Sequence, residues 1–106
     1  MNIIERMGVE LWQILGGVEV RPKNFTMINA RRWQFEMLEK YPQAKKCALG
    51  IKRKGRRYEI LQAMLDENLD LLKTSDDMCV GRRLLAENVD KSVLDFMSGE
   101  SYKLLD

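Results

Sequence analysis

The stretch Lys45–Lys73 reads KKCALGIKRKGRRYEILQAMLDENLDLLK, and its interpretation decides the fold. Its second half carries Tyr58, Leu61, Leu65, Leu69 and Leu72 at steps of three or four, which line one face of a 3.6-period helix. Ile60 and Met64 widen that face, while Glu59, Gln62, Asp66, Glu67 and Asp70 point away from it. The spacing predicts a helix over about 57–73. The first half fits two templates. Ala44, Cys47, Ala48 and Ile51 match a helix, whereas Cys47, Leu49 and Ile51 match a strand. The helix has more matches, and Pro42 is tolerated in its first turn. Gly50 weakens it by about 1 kcal/mol relative to Ala. Helix is the favoured reading of 43–53. The alternative is a β-hairpin in which Lys52 to Arg56 turns through Gly55, a turn residue in either case.

Working outward, residues 2–15 read as a helix with Asn2 as N-cap and Glu5 three places on. Ile3, Ile4, Met7, Leu11, Ile14 and Leu15 form its apolar face, and Gly16-Gly17 ends it. Val18 to Pro22 alternates apolar and polar, which suits a short edge strand or an extended linker. Asn24 or Thr26 caps a helix over about 26–41, stopped by Pro42. Ile28, Trp33, Met37 and Tyr41 share its broad apolar face with Met27, Ala30 and Leu38, and Phe35 falls outside it. Thr74 or Ser75 is placed to cap a helix over about 76–87, with Gly81 inside as a bend or close approach. Asp90 caps a last helix over about 91–98, terminated by Gly99. The expectation is a single mainly α domain, residues 1–106, built as a bundle of about five helices. The alternative is α+β, with a small hairpin around residues 18–21 and 46–60.

Length and composition place the chain among ordinary globular domains, with 106 residues, 45% hydrophobic and 32% charged. The net charge of +2 hides an asymmetry. Residues 1–57 hold 13 Lys/Arg against 5 Asp/Glu, a net of +8, and residues 58–106 have a net of −6. A basic surface that meets an anion explains this, as does mutual attraction of the two halves within the fold. The cysteines, Cys47 and Cys79, lie 32 positions apart, without the close spacing of a zinc ribbon or redox dithiol. They are expected to be reduced and metal-free, which fits a cytoplasmic protein. The first 17 residues lack the signature of a secretory leader, and no apolar run approaches the ~20 residues of a membrane span.

Histidine is absent, which removes the commonest general base and metal ligand. No nucleophile elbow or phosphate-cradling glycine loop is present. Asp76 and Asp77 are explained by a helix start, and Asp66, Glu67 and Asp70 by a solvated face. A non-enzyme without cofactor is expected. The outstanding feature is the basic cluster Lys52, Arg53, Lys54, Arg56 and Arg57, with Arg31, Arg32, Lys45 and Lys46 as outer contacts. Close-set cations attract a phosphate backbone through counterion release. On the helical reading, the cluster sits at a helix-turn-helix-like junction, with Tyr58 available to stack on a base. The leading expectation is a regulatory protein that binds DNA or RNA. A protein-binding adaptor or inhibitor is the alternative, supported by Trp12, Trp33, Phe35, Tyr41 and seven methionines. The Leu-rich 57–73 face offers a homodimer contact on this reading, or else the monomer core.

Overall fold

The structure, a computed structural model, describes residues 18–20 and 23–105. The helix expected over 2–15 lies outside the described residues. The helical bundle is overturned: the chain is α+β. A four-stranded antiparallel sheet runs in the order β5(Gly81–Ala86), β4(Arg57–Leu65), β3(Lys46–Lys54), β7(Tyr102–Leu105). Strand β1(Val18–Val20) extends the β5 edge in parallel. A small separate parallel pair joins β2(Asn24–Phe25) to β6(Asn88–Val89). Two helices, α1(Met27–Lys40) and α2(Lys91–Met97), complete the described fold.

The two halves of the opening stretch form one continuous hairpin, from Lys46 opposite Leu65 to Lys54 opposite Arg57. The expected helices over 43–53 and 57–73 are therefore both corrected to strand. The error has a physical origin in β4. It lies between β3 and β5, and Glu59 to Leu65 are buried without a break. Residues of alternate parity point to opposite faces. Ile60 and Met64 join Cys47, Leu49, Leu84 and the helices in one apolar cluster. Leu61, Ala63 and Leu65 join Ala48 and Cys79 in a second. A strand buried on both faces loses its polar alternation. The leucine step of four is also two strand periods, so Leu61 and Leu65 satisfy either template. Both are buried within one chain, as the monomer-core alternative for that face has it.

After Leu65 the chain turns back at once. The Asp66 carboxylate accepts from the backbone N–H groups of Asn68 at 2.8 Å and Asp70 at 3.0 Å, a turn device. Leu72 N–H then donates to Met64 O at 2.9 Å, so the helix cannot continue to 73. Leu69 and Leu71 pack against the second cluster. The helix expected over 76–87 is also absent. Thr74 Oγ1 accepts from Asp76 and Met78 N–H, each at 3.3 Å, so the hydroxyl expected to cap a helix closes a turn instead. Gly81 begins β5 where a Cβ would collide with the backbone of Gln62 and Ala63. The close approach is between strands.

The helix signals at 26–41 and 91–98 are realised, because capping chemistry is local. Asn29 N–H donates to Thr26 Oγ1 at 3.2 Å, and Thr26 N–H returns a bond to Asn29 Oδ1 at 2.9 Å. Asp90 accepts from Ser92 N–H at 3.1 Å at the start of α2. These bonds from Ser92 also lower the carboxyl pKa of Asp90. Ala30 and Trp33 are buried from α1, whereas Phe35 is 64% exposed. Ile28, expected on the apolar face, is 69% exposed.

Candidate nucleic-acid interface

The basic cluster occupies the tip of the β3–β4 hairpin. Lys54 and Arg57 pair across it, so the loop is the two residues Gly55-Arg56. Gly55 has φ +66°, and Arg56 is not among the positive-φ residues. Glycine at the first central position of a two-residue loop is the signature of a type II′ turn, whose twist matches that of the strands. A Cβ at Gly55 would meet nothing within 4 Å, so the demand for glycine is conformational.

The tip has its own internal order. The Arg53 guanidinium lies 5.5 Å from the centroid of the Tyr58 ring, directly opposite it on the ladder. Arg53 Nη1 donates to Tyr58 Oη at 3.4 Å and Arg53 Nε to Gly55 O at 3.3 Å. Tyr58 packs against the main core on its other side. Lys54 Nζ lies 3.4 Å from Glu59 Oε2, and Arg83 Nε lies 3.4 Å from Glu59 Oε1. Glu59 is only 3% exposed, so a buried carboxylate is shared between a strand-tip lysine and a β5 arginine. Burial raises the Tyr102 hydroxyl pKa, and the Glu59 charge adds to the effect.

Lys52, Arg53, Lys54, Arg56 and Arg57 are all exposed. Strand β7 stops short of all five, and β5 stops short of Lys54, Arg56 and Arg57. β7 pairs with β3 only as far as Gly50, and β5 pairs with β4 only as far as Tyr58. The arm thus clears β7 by four residues, Ile51 to Lys54, and β5 by one rung plus the turn. Glu87 follows Ala86, the partner of Tyr58, and Glu100 precedes the Ser101 that accepts from Ile51 N–H at 2.9 Å. These exposed carboxylates flank the base of the arm, and the residues beyond them are cationic.

The outer contacts are not brought to this tip. Lys46 stands at the other end of β3, eight residues from Lys54, or roughly 27 Å along an extended strand. Lys45 adjoins it, its N–H donating to Leu65 O at 2.8 Å. Arg31 belongs near that far end too, since its charge reaches Cys47. Arg31 also donates to Gln34 at 3.0 Å. Arg32 is exposed on α1. The far end also carries the loop with Asp66, Glu67, Asp70, Asp76 and Asp77. The turn therefore carries a cluster of cations, whereas the opposite end mixes carboxylates with Lys45, Lys46 and Lys73.

Two residues of the site escaped the sequence reading. Glu59 and Arg83 were assigned to separate helices, and only the pairing of β4 with β5 makes them neighbours. Tyr58 was read as a stacking ring, but its position between Arg53 and the core occupies it. Among the described residues, no group of three or more His, Cys, Asp or Glu side chains is placed to hold a metal. No described helix is long and apolar enough to cross a membrane. The cysteines are free and buried, and they sit in the two different apolar clusters. No protein-family model, curated protein or solved structure matches the chain.

Proposed function

We propose that the chain is a non-catalytic nucleic-acid-binding protein whose contact element is the β3–β4 hairpin tip. One observation carries the reading. Five cations, Lys52, Arg53, Lys54, Arg56 and Arg57, crown a hairpin tip that outruns β7 by four residues and β5 by one rung plus the turn. Such an arm presents charge to a phosphate backbone while the rest of the sheet stays clear. The pattern replaces the helix-turn-helix layout with a β-ribbon, another element that enters nucleic-acid grooves.

A mobility-shift experiment tests this at two salt concentrations. The comparison protein is the triple variant Lys52→Ser, Arg56→Ser, Arg57→Ser, which leaves Arg53 and Lys54 in place to support the hairpin. Three phosphates neutralised by Lys52, Arg56 and Arg57 imply a loss of affinity of roughly 40-fold between 50 and 200 mM salt. The variant is expected to stay folded and to bind much more weakly. Equal binding by both proteins would mean that the tip is a solvated turn.

A second reading rests on a different surface. Ile28 and Phe35 are 69% and 64% exposed on α1. Phe35 lines a shallow depression of about 340 Å³ with Arg31, Gln34 and Leu38. A protein-binding adaptor would use this surface. It predicts a stable protein complex lost on Phe35→Ser, and nucleic-acid binding that is absent.

A further inference from the structure

We infer that the ligand of the arm is B-form duplex DNA, entered through the major groove, rather than a single strand or an RNA duplex. The inference rests on the nucleic-acid reading above and narrows it. Proteins that grip single strands combine a cationic track with exposed rings on which bases stack. Among the described residues, this tip has the cations without an exposed ring. Tyr58 is the aromatic residue on the arm, and it lies between the core and the Arg53 guanidinium, which donates to its hydroxyl at 3.4 Å. Tyr102, the nearest ring on β7, lies over Gly50, where a Cβ would strike it. Phe35 is exposed, but on α1, whose Arg31 is placed near the far end of β3. Among the described residues, no exposed ring stands beside the five cations.

The shape of the arm agrees with a groove. Its strands are paired rung by rung to Lys54–Arg57 and closed by a two-residue turn, so beyond the end of β5 the tip narrows to a two-stranded ribbon of one rung and the turn. The B-form major groove, about 12 Å wide, admits an element of that breadth. Cations project from both ribbon faces. Lys52, Lys54 and Arg57 share the face bearing Glu59, and Arg53 lies on the face bearing Tyr58. A ribbon charged on both faces suits a channel with phosphates on both walls. The A-form major groove is deep and too narrow for side chains to read, which disfavours an RNA duplex.

Fluorescence anisotropy with three labelled 20-mers decides the matter, using the whole chain at one fixed salt concentration. The probes are a mixed-sequence DNA duplex, one of its strands alone, and the RNA duplex of the same sequence. The DNA duplex is expected to bind about tenfold or more tighter than either other probe, since stacking contacts are missing from the tip. Equal or tighter binding of the single strand or the RNA duplex would overturn the inference while leaving the nucleic-acid reading intact. Failure to bind any probe would overturn both. A minor-groove ligand pre-bound to an A·T-rich duplex provides the second arm. Affinity should stay within about twofold, because the two grooves are separate surfaces. Displacement of the protein by that ligand would refute major-groove entry.

Discussion

Gln62 sits at the centre of the sheet with no exposed surface, and neither its Oε1 nor its Nε2 has a hydrogen-bond partner. Register places it between Leu49 and Arg82. The Arg82 guanidinium lies over the Trp33 ring at 5.3 Å. A buried amide without partners costs about 1–3 kcal/mol. Gln62→Met, similar in volume and free of that cost, should raise the denaturation midpoint correspondingly; a lowered midpoint would show that the amide is supported in solution. Cys47 gives a pH prediction. Burial pushes its thiol pKa up from 9.0 to about 12, with the Arg31 charge opposing the rise. The unfolded thiol ionises first, so above pH 9 the unfolded state binds fewer protons than the folded one and stability falls with pH. This contribution is full below pH 9 and is lost as pH rises toward 12. Denaturant titrations between pH 8 and about 11 should show a steeper decline for wild type than for Cys47→Ala. Parallel curves would mean that the thiol is not buried in solution. At this scale the sequence was partly legible. The five tip cations were visible as a cluster, but the occupancy of Tyr58 depends on a cross-strand partner that spacing does not reveal.

At the level of elements, the legible parts were those governed by local chemistry. Thr26, one of the two caps expected before α1, Pro42 after it, and Asp90 before α2 each act within a few residues, and each marks a helix end. Strand β4 was illegible because its surroundings determine its pattern. With both faces covered, Ile60 to Leu65 shows no polar alternation, and Gln62 looked like a solvent-side residue although it is fully buried. Leu65 tests this placement directly. It is 0% exposed and packs with Leu61, Ala63 and Cys79. Leu65→Ala should cost roughly 2–5 kcal/mol in equilibrium unfolding. A change near zero would place its side chain outside a packed layer. The hairpin turn makes a similar demand at Gly55. Its φ of +66° is strained for an L-residue, so Gly55→Val should cost about 1–2 kcal/mol and disorder the arm with little effect on the core.

Across the described residues, the asymmetry between a basic first half and an acidic second half becomes spatial only in part, since Lys45 and Lys46 lie beside the acidic loop. Lys54–Glu59 is one ion pair that joins the two halves. The hairpin carries the part that is spatial: five cations lie between Lys52 and Arg57, and five carboxylates in the loop beyond Leu65, at the opposite end of the same strands. The sequence showed the imbalance, but a helical reading put the cluster at a junction between helices, not at the end of an arm. It also grouped Lys45 and Lys46 with the tip, although β3 holds them at its far end beside the acidic loop. The central claim is that Lys52, Arg56 and Arg57 meet phosphates. The direct measurement is the slope of log K against log salt for a DNA duplex, for wild type and for the Lys52→Ser, Arg56→Ser, Arg57→Ser variant. Each phosphate contact contributes about −0.9 to that slope, so the variant should be shallower by about 2.7. Identical slopes for the two proteins would contradict the claim.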